Sequence, residues 1–269
     1  MIRHKKSLGQ HFLFDDNILK KIADSAQLTK DDLVLEAGTG VGTLTKHLAE
    51  KAGRVVTVEL DRSLIPQAQT NLKAFKNIEI VNDDIMKMNI PAAMDRYPDF
   101  SHRKVVANIP YYITTPLISM LLQSKADFEE ITLLIQKEVA ERIVSRPGVK
   151  AYGSFTIFVN YYAEPRIMFK VPAAAFRPRP EVDSVVLRLR KLSKPPVEVK
   201  DEKMFFRLVR AAFVQRRKML RNAIMNANIE GITAEKLDEA LVSSGINGKR
   251  RGETLSISEF ACLSGRVRG

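Results

Sequence analysis

The sequence predicts an α/β fold with a mostly parallel sheet over its first two thirds, followed by a small all-α domain. Three observations carry this. Short β-branched runs alternate with helix-like stretches, several of these runs end in residues with chemistry to offer, and beyond Asp201 the pattern turns helical with no convincing strand. The chain has 269 residues, 45% of them hydrophobic, enough to bury one large core and a smaller one.

The elements follow in order. Leu33-Val34-Leu35 reads as a first core strand, and Leu44-x-x-x-Leu48 as the helix after it. Val55 to Val58 is the next strand, Ile65 to Leu72 a helix, and Ile78 to Val81 a third strand, so βαβ units and a sheet covered on both faces are expected. Val105-Val106 and Ile131 to Ile135 read as further core strands. Ile167 to Val171 and Val185 to Leu189 read as later strands, antiparallel at the sheet edge. The spacing in Met204-Phe205-x-x-Leu208-Val209-x-x-Ala212-Phe213 is helical, and the connector Lys194-Pro195-Pro196 puts the boundary between domains 1–194 and 195–269.

Lys and Arg total 43 against 31 Asp and Glu, a formal charge of +12, which points to a polyanionic partner with nucleic acid leading. A basic protein with no such partner is the plainer alternative. The single cysteine, Cys262, permits no internal disulfide, and no Cys/His cluster has metal spacing, so a reducing cytoplasm and no metal are expected. The basic start Met1 to Lys6 leads into no apolar signal core, and no run reaches membrane-spanning length, so the sequence reads as a soluble intracellular protein.

Glu36-Ala37-Gly38-Thr39-Gly40-Val41-Gly42 follows the first core strand and opens a helix, where glycines let a ligand approach the backbone. A dinucleotide fingerprint would want glycine at the sixth position of Gly-x-Gly-x-x-Gly, where Thr43 stands. S-adenosylmethionine has no phosphate and carries a sulfonium and an ammonium, so Glu36 beside the glycines suits it better than a pyrophosphate. Glu59 ends the next strand, ~20 residues on, where an acid grips ribose hydroxyls in such folds. Asp84, after Ile78 to Val81, can accept from an adenine amine. Each acid alone could be a solvated strand end, but Gly38, Glu59, Asp84 and Asn108 after successive strands outline one ligand crevice.

Asn108-Ile109-Pro110-Tyr111 leaves the strand Val105-Val106-Ala107 with an amide, two carbonyls and a ring, the set needed to hold a planar exocyclic amine such as adenine N6. Its plainer reading is an ordinary strand exit with Tyr111 and Tyr112 packing a loop.

Together with Gly9-Gln10-His11-Phe12-Leu13, Phe176-Arg177-Pro178-Arg179-Pro180-x-Val182-Asp183-Ser184 and Gln215-Arg216-Arg217-Lys218-x-Leu220-Arg221-Asn222, these motifs resemble the ribosomal RNA adenine dimethyltransferases of the KsgA type. The resemblance spans nearly the whole chain. It implies a Rossmann-like class I methyltransferase domain with a seven-stranded, mostly parallel sheet, a small all-α C-terminal domain that binds RNA or the ribosome, and N6,N6-dimethylation of two adjacent adenosines near the 3′ end of small-subunit ribosomal RNA. The implied substrate is the assembling small subunit, and the protein would act as a monomer. Carried over by position, His11, Leu13, Gly38, Glu59, Asp84 and Asn108 would hold the donor S-adenosyl-L-methionine, with Glu36 and Gly40 of the glycine loop beside them. Many bacterial members have asparagine at the position of His11. Asn108, Ile109, Pro110 and Tyr111 would carry catalysis, with Phe176 pressing the second face of the base.

Arg216, Arg217, Lys218 and Arg221, and Lys249, Arg250 and Arg251, form basic clusters in the helical part, and Arg177 and Arg179 add charge near the expected cleft. Phosphate contacts by such residues give affinity and salt dependence without sequence information, and solvated helix faces are the plainer reading. Two further functions stay open: a large-subunit adenosine methyltransferase of the macrolide-resistance type, and a non-enzymatic factor for ribosome assembly or transcription on the same fold. DNA adenine methylation is weaker, since such enzymes usually carry a second proline where Ile109 stands.

Overall fold

A computed structural model describes residues 11–267. The described chain begins with β1 (Phe12–Leu13) and α1 (Asp16–Ser25), whose first turn is capped by the Asp15 carboxylate accepting from the Asn17 and Ile18 amides. Then come β2 (Asp32–Ala37), α2 (Thr43–Lys51), β3 (Arg54–Glu59), α3 (Ile65–Leu72), β4 (Ile78–Asn82), α4 (Ile90–Met94) and β5 (His102–Asn108). A 3₁₀ turn at Tyr111–Ile113 leads into α5 (Thr114–Gln123), β6 (Glu130–Gln136), α6 (Lys137–Ile143) and α7 (Ser154–Tyr162). β7 (Ala163–Val171), β8 (Phe176–Arg177) and β9 (Ser184–Lys191) close the strand-bearing part, and α8 (Glu202–Val214), α9 (Leu220–Asn226), α10 (Ala234–Ser243) and α11 (Ile257–Val267) follow.

Seven strands form one sheet in the order β4-β3-β2-β5-β6-β9-β7. The five from β4 to β6 are parallel, and β9 pairs antiparallel with β6 from Glu130↔Arg190 to Gln136↔Ser184. β9 therefore lies inside the sheet and β7 forms its edge. Val34, Val106, Leu134 and Val186 bury one face against Leu19 and Ile22 of α1 and Leu44 and Leu48 of α2. Leu33, Leu35, Val105 and Leu133, alternating with them, are equally buried, which is why these strands read as continuous apolar runs. Strand order reverses between β2 and β5, and the crevice at that switch, beyond the strands' carboxyl ends, is where ligands bind in open α/β sheets.

The chain divides into two units, residues 1–140 with 164–192, and 141–163 with 193–269. The last cut, between 192 and 193, falls close to the proline connector. Residues 141–163, expected in the first domain, belong to the second unit, because α7 places Phe158, Tyr161 and Tyr162 against Phe205 and Phe206 of α8. That unit has its own core, in which Phe205, Leu208, Leu220, Leu237, Phe260 and Leu263 are fully buried. Among the described residues no helix is long and apolar enough to cross a membrane, and no group of acids, histidines and cysteine could hold a metal ion.

Candidate active site

The loop from β2 to α2 turns through three left-handed glycines, Gly38 (φ +92°), Gly40 (φ +56°) and Gly42 (φ +87°). A side chain is excluded most strongly at Gly42, where a Cβ would stand 2.9 Å from Leu72, and at Gly40 it would press the Phe12 ring at 3.2 Å. The Gly38 amide donates to the Val58 carbonyl at 2.8 Å and the Gly42 amide to Thr39 at 2.9 Å, so the loop is fixed against β3. Glu59, the last residue of β3, accepts from the Gly40 amide at 2.7 Å through Oε2 and from the Asp61 amide at 2.8 Å through Oε1. Burial raises its pKa, and these two amides oppose the rise. Each oxygen keeps a second acceptor direction for a ligand hydroxyl.

A cleft of about 720 Å³ opens above these strand ends. His11, Leu13, Gly38, Gly40, Glu59, Asn108, Ile109, Pro110, Tyr111 and Phe176 all line it. An adjoining pocket shares Gly38, Glu59 and Pro110 and holds Asp84. There Asp84 Oδ1 accepts from the Met86 amide at 3.0 Å, and Oδ2 lies 3.6 Å from Lys87 Nζ. Asn108 is the final residue of β5, and its side chain has no hydrogen-bond partner among the described residues.

Glu36 is the exception. Its side chain is 0% exposed, lines neither pocket, and accepts from Thr45 Oγ1 at 2.7 Å and Thr57 Oγ1 at 2.6 Å. Desolvation drives its pKa up to about 8, so it is a neutral acid at pH 7 and not a carboxylate facing a cationic donor. The sequence placed it beside the glycines correctly but could not give its direction: as the residue before Ala37 in a fully buried strand it points into the sheet's packing.

On the other wall the Tyr111 hydroxyl meets Ser184 Oγ at 2.7 Å, and the His11 ring lies over the Tyr111 ring with centroids 5.6 Å apart. Burial raises the Tyr111 phenol pKa, keeping it protonated. Phe176 is only 2% exposed yet reaches the cleft from β8, which pairs antiparallel with β1 through Leu13↔Phe176. Asp183 holds this loop, accepting from the Ala173 amide at 3.0 Å and pairing with Lys170 at 2.7 Å, and the Lys170 ammonium lowers its pKa. Gly9 and Gln10 of the N-terminal motif lie outside the described residues.

Several lining residues escaped the sequence reading. Phe12 and Thr43 line the first pocket, and Leu60, Ile85, Met86 and Tyr112 the second. Each lies within two residues of an expected site residue or opens the helix after the glycine loop; Leu60 and Tyr112 are also unusually exposed for their size, at 48% and 60%.

The basic clusters divide. Arg216 pairs with Glu253 at 2.8 Å and donates to the Lys150 and Tyr152 carbonyls, Arg221 pairs with Asp238, and Arg250 pairs with Glu259 and the Thr254 carbonyl. These three, expected on RNA, are engaged within the helical unit. Arg177, Arg179, Arg217, Lys218, Lys249 and Arg251 are exposed and carry no ion pair among the described residues.

A seven-stranded sheet of this order, a glycine turn after its first strand and acids at the ends of the next two define a class I, S-adenosylmethionine-dependent methyltransferase. The model of the family described as ribosomal RNA adenine dimethylase matches residues 1–262. The chain is 47% identical over 262 residues to the ribosomal RNA small subunit methyltransferase A of Clostridium botulinum, covering 97% of this chain and 93% of that one. It is 46% identical to the protein of the same name from Geobacillus thermodenitrificans, covering 97% and 89%. Among solved structures it is similar to a dimethyladenosine transferase from Plasmodium falciparum (TM-score 0.77, 26% identity, 94% of this chain and 96% of that). It is also similar to the 23S rRNA methyltransferase ErmE (TM-score 0.72, 26% identity, 96% and 100%). The chain belongs to the ribosomal RNA adenine dimethylase family.

Proposed function

We propose that the protein dimethylates N6 of two adjacent adenosines near the 3′ end of small-subunit ribosomal RNA, acting as a cytoplasmic monomer on the assembling small subunit with S-adenosyl-L-methionine as donor. The observation that carries this is Asn108, the last residue of β5, lining the cleft together with the glycine turn and Glu59. The residues suit the donor: the glycine turn leaves bare backbone, Glu59 has acceptor capacity for ribose hydroxyls, and Asp84 offers a carboxylate in the adjoining, largely apolar pocket. Leu13, Gly38, Gly40, Glu59 and Asp84 would hold it. When bound, it supplies an electrophilic methyl group.

Adenine N6 is a poor nucleophile because its lone pair is delocalised into the ring. Asn108 Oδ1 and the Ile109 carbonyl oxygen would accept its hydrogens, favouring a pyramidal nitrogen with its lone pair aimed at the donor. Pro110, at φ −57°, fixes the backbone that aims them. Tyr111, with its hydroxyl anchored on Ser184, offers a stacking face, typically about 1–3 kcal/mol per base. Positioning then does most of the work, and the proton can leave after transfer without a strong base.

The likeness to ErmE supports large-subunit RNA as a second substrate reading. The higher identity to proteins named for the small subunit favours the first. Offering labelled donor with small subunits, large subunits and naked RNAs separates them. Label confined to small subunits is expected, and label confined to large-subunit RNA would overturn the assignment.

A further inference from the structure

Thr39, between Gly38 and Gly40, is 4% exposed and lines the cleft, yet its hydroxyl is turned onto β3, with Oγ1 2.7 Å from Thr57 Oγ1. Thr57 gives its own hydroxyl hydrogen to Glu36 Oε2 at 2.6 Å, so Thr39 is the donor in the bond between the two threonines. From α2, Thr45 gives its hydrogen to the same Oε2 at 2.7 Å, and Glu36, Thr45 and Thr57 are all fully buried. A file of side chains therefore runs from the packing of the sheet to the cleft: Glu36, Thr57, Thr39.

The other fastenings of the turn are of a different kind. The Gly38 amide is held by the Val58 carbonyl at 2.8 Å, and the Thr39 amide reaches that carbonyl only at 3.4 Å. The Gly40 amide is held at 2.7 Å by Glu59, the acid assigned above to the ribose hydroxyls of the donor. That grip is shared with the ligand, whereas the bond between Thr39 and Thr57 is not. Gly38 and Gly40 lack the side chains that would restrict this stretch, so the hydroxyl of the residue between them is what fixes it.

We infer that Thr39 is a donor-positioning residue: its hydroxyl, locked by Thr57 and through it by Glu36, holds the backbone from Gly38 to Gly40 in the shape that accepts S-adenosyl-L-methionine. This deepens the donor assignment above and rests on it. The threonine pair acts by preorganisation, since a site that is competent only part of the time shows an affinity reduced by that fraction. Thr45 is the internal control, because it bonds the same Glu36 oxygen, is equally buried and lines neither pocket.

Thr39→Val and Thr57→Val each remove one hydroxyl at nearly constant shape. In either variant the donor Kd from calorimetry, and the donor KM with small subunits as acceptor, rise about 3- to 10-fold, the worth of one hydrogen bond. Turnover at saturating donor is unchanged, as for a loss of uniform binding. The double variant is no worse than either single one, because both break the same bond. Thr39→Ser keeps the hydroxyl and binds the donor within about twofold of the unaltered protein. Thr45→Val lowers the unfolding temperature as Thr57→Val does, yet leaves the donor Kd within about twofold. Equal weakening of donor binding in Thr45→Val and Thr57→Val, additive losses in the double variant, a Thr39→Ser no better than Thr39→Val, or valine variants that bind as the unaltered protein does would overturn the inference. Donor binding without methyl transfer to small subunits would overturn the proposed activity instead, and the calorimetric comparison would still decide the role of the threonines.

Discussion

In the sheet unit, functional groups converge from distant parts of the chain, whereas in the helical unit neighbouring cations diverge. His11, Gly38, Glu59, Asn108 and Phe176 come from five separate segments and line one cleft. Arg216 and Arg217 are adjacent, yet the first is gripped by Glu253 and two carbonyls while the second carries no ion pair among the described residues. A parallel sheet aligns the carboxyl ends of its strands, so position after a strand is spatial information. A run of cations carries no such information, because the acids that fold against it come from elsewhere.

The largest expected effect falls on the cleft. Asn108→Ala should lower kcat on the order of 10²-fold, the scale of losing one positioned hydrogen-bonding group, while donor affinity measured by calorimetry stays within about threefold. Equal loss of both would place Asn108 on the donor alone.

Glu36 sharpens the difference between lining a site and supporting it. Its proton stays on in the folded state up to about pH 8 and leaves the unfolded chain near pH 4.5. This group's contribution to stability is therefore complete below pH 4.5, declines by roughly 1.4 kcal/mol per pH unit as pH rises, and is gone above about pH 8. Denaturant titrations of Glu36→Gln should show that slope removed, since an amide does not titrate.

Smaller effects test the helical unit. Arg216→Ala should cost about 1–2 kcal/mol of stability in thermal or urea unfolding, because two carbonyls and Glu253 lose a donor. Replacing Arg217 and Lys218 together should change stability by no more than about 0.5 kcal/mol. It should instead reduce the salt dependence of small-subunit binding by about two phosphate contacts. If Arg216→Ala alone altered the salt slope and left stability intact, the division between engaged and available cations would be broken.

Much of the first unit was legible because its strands are short, β-branched and ended by distinctive residues: Gly38, Glu59, Asp84 and Asn108 all follow or end the strands expected. What escaped depended on direction or on distant partners. Glu36 sits where expected in the chain, but its direction is set by Thr45 and Thr57 from other elements. The segment 141–163 carries aromatics at helical spacing in Phe155, Phe158 and Tyr162, and only the partners Phe205 and Phe206 of α8 assign it to the helical unit. Ile85 and Met86 are ordinary apolar residues whose role as pocket walls comes solely from following Asp84.

The most direct test of the central claim is mass mapping of the modified nucleosides after unmethylated small subunits are incubated with the enzyme and donor. The account predicts two adjacent N6,N6-dimethyladenosines near the 3′ end of the small-subunit RNA, absent with Asn108→Ala. An unmodified 3′ end, or the same modification persisting undiminished with Asn108→Ala, would contradict it.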